Sequence, residues 1–189
     1  MLALLVSCSS GHKRIIAFTK GEVDINQATK VISVIGNGST THAEQSLDYN
    51  TGDKITFTIK TKASESKVDF PDNGLYVLNV KTDTLVGSYQ VYSAPASSPK
   101  RFTQDMLKHS VDSLEQLISN RNVSAANRNF FVLPYHAVKI SGNLDATVIG
   151  PFHQTTSLEK EEGKEPEVYR FYTVREIRDL ISDLKTHIR

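Results

Sequence analysis

The sequence predicts a mainly β protein: an antiparallel β-sandwich or small barrel, followed by an α+β half with two helices on a small sheet. Three observations carry this expectation. Short β-branched runs alternate with polar turns about every ten residues in the first half. A small, proline-marked stretch, Ser93-Ala94-Pro95-Ala96-Ser97-Ser98-Pro99, then interrupts them. Helical periodicity enters only beyond it. The expected division is a sandwich-like domain over 12–93, a linker over 94–101 and an α+β domain over 102–189.

The first half is justified strand by strand. Ile15-Ile16-Ala17-Phe18 and Val31-Ile32-Ser33-Val34-Ile35 are β-branched runs of strand length. In Lys54-Ile55-Thr56-Phe57-Thr58-Ile59-Lys60 the apolar residues occupy every second position, so Ile55, Phe57 and Ile59 share one face. Tyr76, Leu78 and Val80 repeat the period, and residues 85–92 form a further β-rich segment. Gly36-Asn37-Gly38, Asn50-Thr51-Gly52-Asp53 and Pro71-Asp72-Asn73-Gly74 supply the turns.

In the second half, Thr103 is placed to cap a helix over 104–119 whose Leu107, Val111, Leu114 and Ile118 share a face. Phe130-Phe131-Val132-Leu133 follows as a buried strand, and a hairpin is expected over 138–149 around Ser141-Gly142-Asn143. The charged run over 159–167 is a loop by composition. Thr173-Val174-Arg175-Glu176 has the T-x-x-E pattern of a capping box. Behind it Val174, Ile177, Leu180, Ile181, Leu184 and Ile188 line one face, which requires the helix to dock, most simply on its own domain.

Composition narrows the functional classes. Net charge is +1, from 22 basic and 21 acidic side chains that are scattered along the chain, so no field recruits nucleic acid. No apolar run reaches the roughly eighteen residues that span a bilayer. The single cysteine, Cys8, excludes an internal disulfide and a zinc site built on paired thiolates. No cofactor is expected.

Cys8 stands directly behind an apolar run. Met1-Leu2-Ala3-Leu4-Leu5-Val6 is similar to the end of a signal-peptide h-region, although it lacks a basic n-region, so residues 1–7 are taken as a truncated signal-peptide-like segment. Leu5-Val6-Ser7-Cys8 resembles the lipobox of bacterial lipoproteins, and Ser9-Ser10-Gly11 resembles the tether that follows it, which places the tether at 8–11. The resemblance implies acylation of Cys8, anchoring to a bacterial membrane and envelope proteins as partners. Two or more acyl chains hold stably where one does not. Because Ser9, and not aspartate, follows Cys8, the resemblance further implies the periplasmic face of the outer membrane.

The search for chemistry finds little. Six histidines are present, none spaced as a helical ligand pair. His136 and His153 flank the expected hairpin and are the one pair it would bring together, as an acid/base or metal site. No G-x-S-x-G elbow occurs, and Gly36-Asn37-Gly38-Ser39 lacks the lysine of a phosphate loop. Tyr76, Tyr89 and Tyr92 are candidates for a partner-facing aromatic strip. The expectation is a lipid-anchored, non-catalytic envelope protein: an adaptor, assembly factor or binding subunit. The alternatives are an envelope hydrolase acting on cell-wall or sugar material, marked by a cleft holding His136 or His153 with a carboxylate, and a carbohydrate-binding module, marked by tyrosines in a row.

Overall fold

The computed structural model describes residues 11–36, 41–90, 103–151 and 166–188. Cys8 with its lipobox-like neighbours, the linker over 94–101, Tyr92 and His153 lie outside the described residues. In chain order the elements are β1 (Lys13–Lys20), β2 (Glu22–Asn26), β3 (Val31–Gly36), β4 (His42–Tyr49), β5 (Ile55–Lys60), β6 (Glu65–Phe70), β7 (Gly74–Asn79) and β8 (Leu85–Gln90). Then come α1 (Gln104–Ile118), β9 (Asn129–Val132), β10 (Ala137–Ser141), β11 (Thr147–Ile149), β12 (Val168–Thr173) and α2 (Val174–Thr186). The protein is thus mainly β with two helices in its C-terminal half, as predicted. Among the described residues no helix is long and apolar enough to cross a membrane.

Among the described residues the strands form three four-stranded sheets and no closed barrel. A central sheet has the order β10-β7-β1-β4, a second β2-β3-β5-β6 and a third β11-β12-β8-β9. The pairs β1–β7, β3–β5 and β11–β12 are parallel, so each sheet is mixed and not purely antiparallel. Two sheets draw strands from both sides of the 93–99 stretch: β10 joins β7, and β8 lies between β9 and β12.

Alternation along β1 explains the layering. Ile15 and Ala17 point to one face and join Ile32, Phe57, Ile59, Phe70 and Leu78 in a core against the second sheet. Ile16 and Phe18 point to the other face and meet Leu75, Val77, Phe130, Tyr169 and Phe171 in a core against the third sheet. The outer face of that third sheet carries Val86, Phe131 and Tyr172, which pack on Val111 and Leu117 of α1 and on Ile177 and Ile181 of α2. The described residues therefore stack in four layers, three of sheet and one of helix. The central sheet is covered on both sides, and every residue of β7 is buried.

Both helix starts obey their local signals. The Thr103 hydroxyl accepts from Met106 N at 3.2 Å. The capping box closes with Thr173 N donating to Glu176 Oε2 at 2.6 Å and Glu176 N to Thr173 Oγ1 at 3.2 Å. The expected hairpin over 138–149 does not form. β10 pairs with β7 in the central sheet and β11 with β12 in the third. Each sheet offers an open edge, and separate pairing lets Ile140 and Ile149 both become buried.

Gly87 of β8 faces Phe171 of β12 across the ladder, and a Cβ there would stand 2.4 Å from the Phe171 ring. The ring uses that space to pack on Phe18 at 5.7 Å and Phe130 at 6.2 Å. Gly87→Ala is therefore expected to overpack the second core and cost about 1–3 kcal/mol, read as a lower urea midpoint at unchanged m-value.

Candidate functional site

Two lysines are almost wholly buried, and their surroundings differ. Lys13, at the start of β1, is 1% exposed. Its Nζ lies 3.3 Å from each of three acceptors: Thr51 O, Gly52 O and Asn73 Oδ1. An ammonium has three hydrogens to donate, so this one is fully spent in tying the turns at 50–53 and 71–74 to β1. Lys81, just beyond the end of β7, is 2% exposed. Among the described residues its Nζ makes one hydrogen bond, to His42 Nδ1 at 3.1 Å, and it sits 5.5 Å from the centre of the Phe18 ring. Among the described residues no carboxylate lies within ion-pairing distance of it. Toward the described residues two of its three donors are unspent.

Lys81 borders a cleft of about 210 Å³ lined also by Lys20, His42, Asp83, Arg175 and Glu176. Strand register and local turns bring these residues together. Lys20 and His42 are cross-strand partners at the end of the β1–β4 ladder. Asn79, the last residue of β7, is fully buried. Its amide donates to Asp83 O and Val132 O, both at 2.9 Å, while its carbonyl accepts from Lys81 N at 2.9 Å. That folds residues 79–84 into a tight corner between the central and third sheets. α2 is docked against the corner by Val174 N donating to Thr84 O at 2.9 Å. The Asp83 carboxylate accepts from Thr84 N at 2.9 Å and Arg175 N at 3.3 Å.

The electrostatics follow from this arrangement. Burial pushes the Lys81 ammonium below its ordinary range, against the opposing fields of Glu176, Glu44 and Asp83, while Lys20 adds to the lowering. Burial and the Lys81 charge hold His42 below its ordinary value, with Glu176 and Glu44 opposing and Lys20 assisting. With Lys81 charged, Nδ1 of His42 is the acceptor and the ring proton of the neutral imidazole resides on Nε2. Asp83 and Glu176 are already engaged by backbone amides. The arrangement can therefore accept a hydrogen-bond acceptor at Lys81. Among the described residues no group of three or more His, Cys, Asp or Glu could hold a metal ion.

A second polar cluster is closed on itself. Glu167 receives hydrogen bonds from Arg128, Tyr169, Ser141 and Asn143. Burial opposes its ionisation, yet these donors hold the carboxyl below its usual range. The Arg128 guanidinium lies 3.7 Å over the Tyr89 ring.

Of the residues singled out by sequence, the described ones, Tyr76, Tyr89 and His136, are dispersed. Tyr76 is 4% exposed in the first core, with its hydroxyl donating to Asp72 O at 2.9 Å and accepting from Asp72 N at 3.2 Å. Tyr89 is half-buried against the second core under Arg128, so the two tyrosines share no surface. His136 is exposed, with Nδ1 2.8 Å from Pro134 O. Lys81 and His42 escaped sequence reasoning. The one available signal was that Lys81 immediately follows the apolar run ending in Val80.

Two outcomes follow. Replacing the buried ammonium by an apolar chain of similar length, Lys81→Met, is expected to raise the melting temperature by about 2–4 °C, corresponding to about 1 kcal/mol; a stabilising role for the charge would lower it. For His42, the unfolded chain takes up a proton near 6.5 while the folded chain resists until lower pH. The unfolded state then binds more protons, so His42's contribution is complete above pH 6.5 and is lost as pH falls through its lowered folded value. Denaturant titrations at pH 7.5 and 5.5 should show a smaller loss for His42→Gln than for the wild type. No protein-family model matches the chain, and no curated protein or solved structure matches it.

Proposed function

We infer that this is a lipid-anchored, non-catalytic binding subunit or adaptor of the bacterial envelope, held through acyl chains on Cys8 at the periplasmic face of the outer membrane. The observation that carries the reading is Leu5-Val6-Ser7-Cys8 placed just ahead of firmly packed backbone. Gly11 is buried against Asn73 and Gly52, and His12 O accepts from Gly74 N at 3.0 Å. Only Ser9 and Ser10 separate the thiol from that point, a reach of at most about 10 Å.

So short a tether would set the Lys13 end of β1, with the turns at 50–53 and 71–74, beside the lipid headgroups. The cleft at Lys81 lies by the Lys20 end of the same strand, roughly 23 Å away at the usual rise per residue. It would face the aqueous side. Anchoring confines the protein to a plane and raises its effective concentration for partners at that surface.

Intact mass of the protein taken from its native membrane should show loss of residues 1–7 and acyl mass on Cys8. Cys8→Ser should move the chain to the soluble fraction with its fold unchanged. An unmodified wild-type chain in the soluble fraction would overturn the reading.

A further inference from the structure

We propose that the cleft between Lys81, His42 and the start of α2 is a binding site for a small monocarboxylate. The proposal rests on the reading of the protein as a binding subunit but not on the lipid, because the cleft lies at the far end of β1 from Cys8.

The comparison with Lys13 carries it. Both ammonium groups are withdrawn from water to the same degree, and burial of an ammonium is tolerated where its donors find acceptors. Lys13 meets three oxygens at 3.3 Å, whereas Lys81 meets one ring nitrogen and borders open volume. The unspent donors of Lys81 belong to a side chain 98% withdrawn from solvent, as its 2% exposure states. A carboxylate placed there would take a charge-assisted hydrogen bond in a region of low dielectric, where such bonds are strongest.

Size and charge select the ligand. At about 210 Å³ the cleft is below the roughly 300 Å³ at which drug-sized ligands begin to fit. Its lining sets Lys20, Lys81 and Arg175 against Asp83, Glu176 and Asp179. Those acids would repel a second negative charge, so a monoanion fits and a phosphate dianion does not.

The test is an amide-resonance titration of the full-length Cys8→Ser chain with acetate and propionate at constant ionic strength, with inorganic phosphate as comparison. Saturable shifts are expected at Lys81, Thr82, Asp83, Arg175 and Glu176 with both carboxylates. Lys81→Met should weaken binding at least tenfold while remaining folded. A thermal upshift with propionate, present in the parent chain and absent in Lys81→Met, gives a second readout. The proposal is overturned if no carboxylate produces saturable shifts in the folded chain, if Lys81→Met binds equally well, or if phosphate binds more tightly. Because the chain used carries no acyl group, failure here leaves the anchor standing, and failure of the anchor leaves this site standing.

Discussion

Over Lys13 to Phe18, β1 runs parallel to β7, and the two strands bury side chains on both faces of the central sheet. Parallel neighbours cannot be joined by a tight turn; the chain between them must cross over through a dozen residues or more. Here the crossover contains β2 through β6, and most of it becomes the second sheet, which covers one apolar face. β4 alone returns to pair with β1. The opposite face remains apolar, so the chain after β7 has to build a second cover. It does so with β8, β9, β11 and β12, whose own outer face then requires α1 and α2. The four layers follow from one two-sided sheet.

The same pairing sets the ends of the molecule. At one end of β1 the carbonyls of a turn and an asparagine side chain surround Lys13. At the other, the tight passage from β7 to β8 leaves Lys81 beneath the start of α2, with His42 delivered by the β4 register. One lysine is part of the scaffold. The other carries the desolvation cost of a charge with incomplete local compensation, a condition proteins retain where binding or chemistry repays it. Stability and recognition are opposed at that corner, and Asn79 holds the backbone that makes the opposition possible.

Much of the secondary structure was legible because it depends on neighbours in sequence. The alternation of Ile55, Phe57 and Ile59 marked β5, and Thr103 and Thr173 marked the helix starts. The strands that escaped notice were β2, β4, β6 and β12. β4, His-Ala-Glu-Gln-Ser-Leu-Asp-Tyr, buries only Leu47 fully and exists because β1 offers it a ladder. β2 and β6 are likewise edge strands with polar outward faces. Tyr76 and Tyr89 show the same divide: each was a candidate for an aromatic strip, but they belong to strands that pack into different cores.

By itself the sequence determined the β-rich class, the capped helices with their apolar faces, and the lipobox-like approach to its one cysteine. Each of these is a matter of residue type and short spacing; for the strands and helices, local sterics and hydrogen bonding suffice to express it. The tertiary structure decided which strands share a sheet, that β10 and β11 part company, and that Lys81 rather than Lys13 faces open volume. Pairing partners and burial are settled by competition among distant segments for the same apolar faces and ladder edges. A lysine's share of acceptors depends on what that competition leaves beside it.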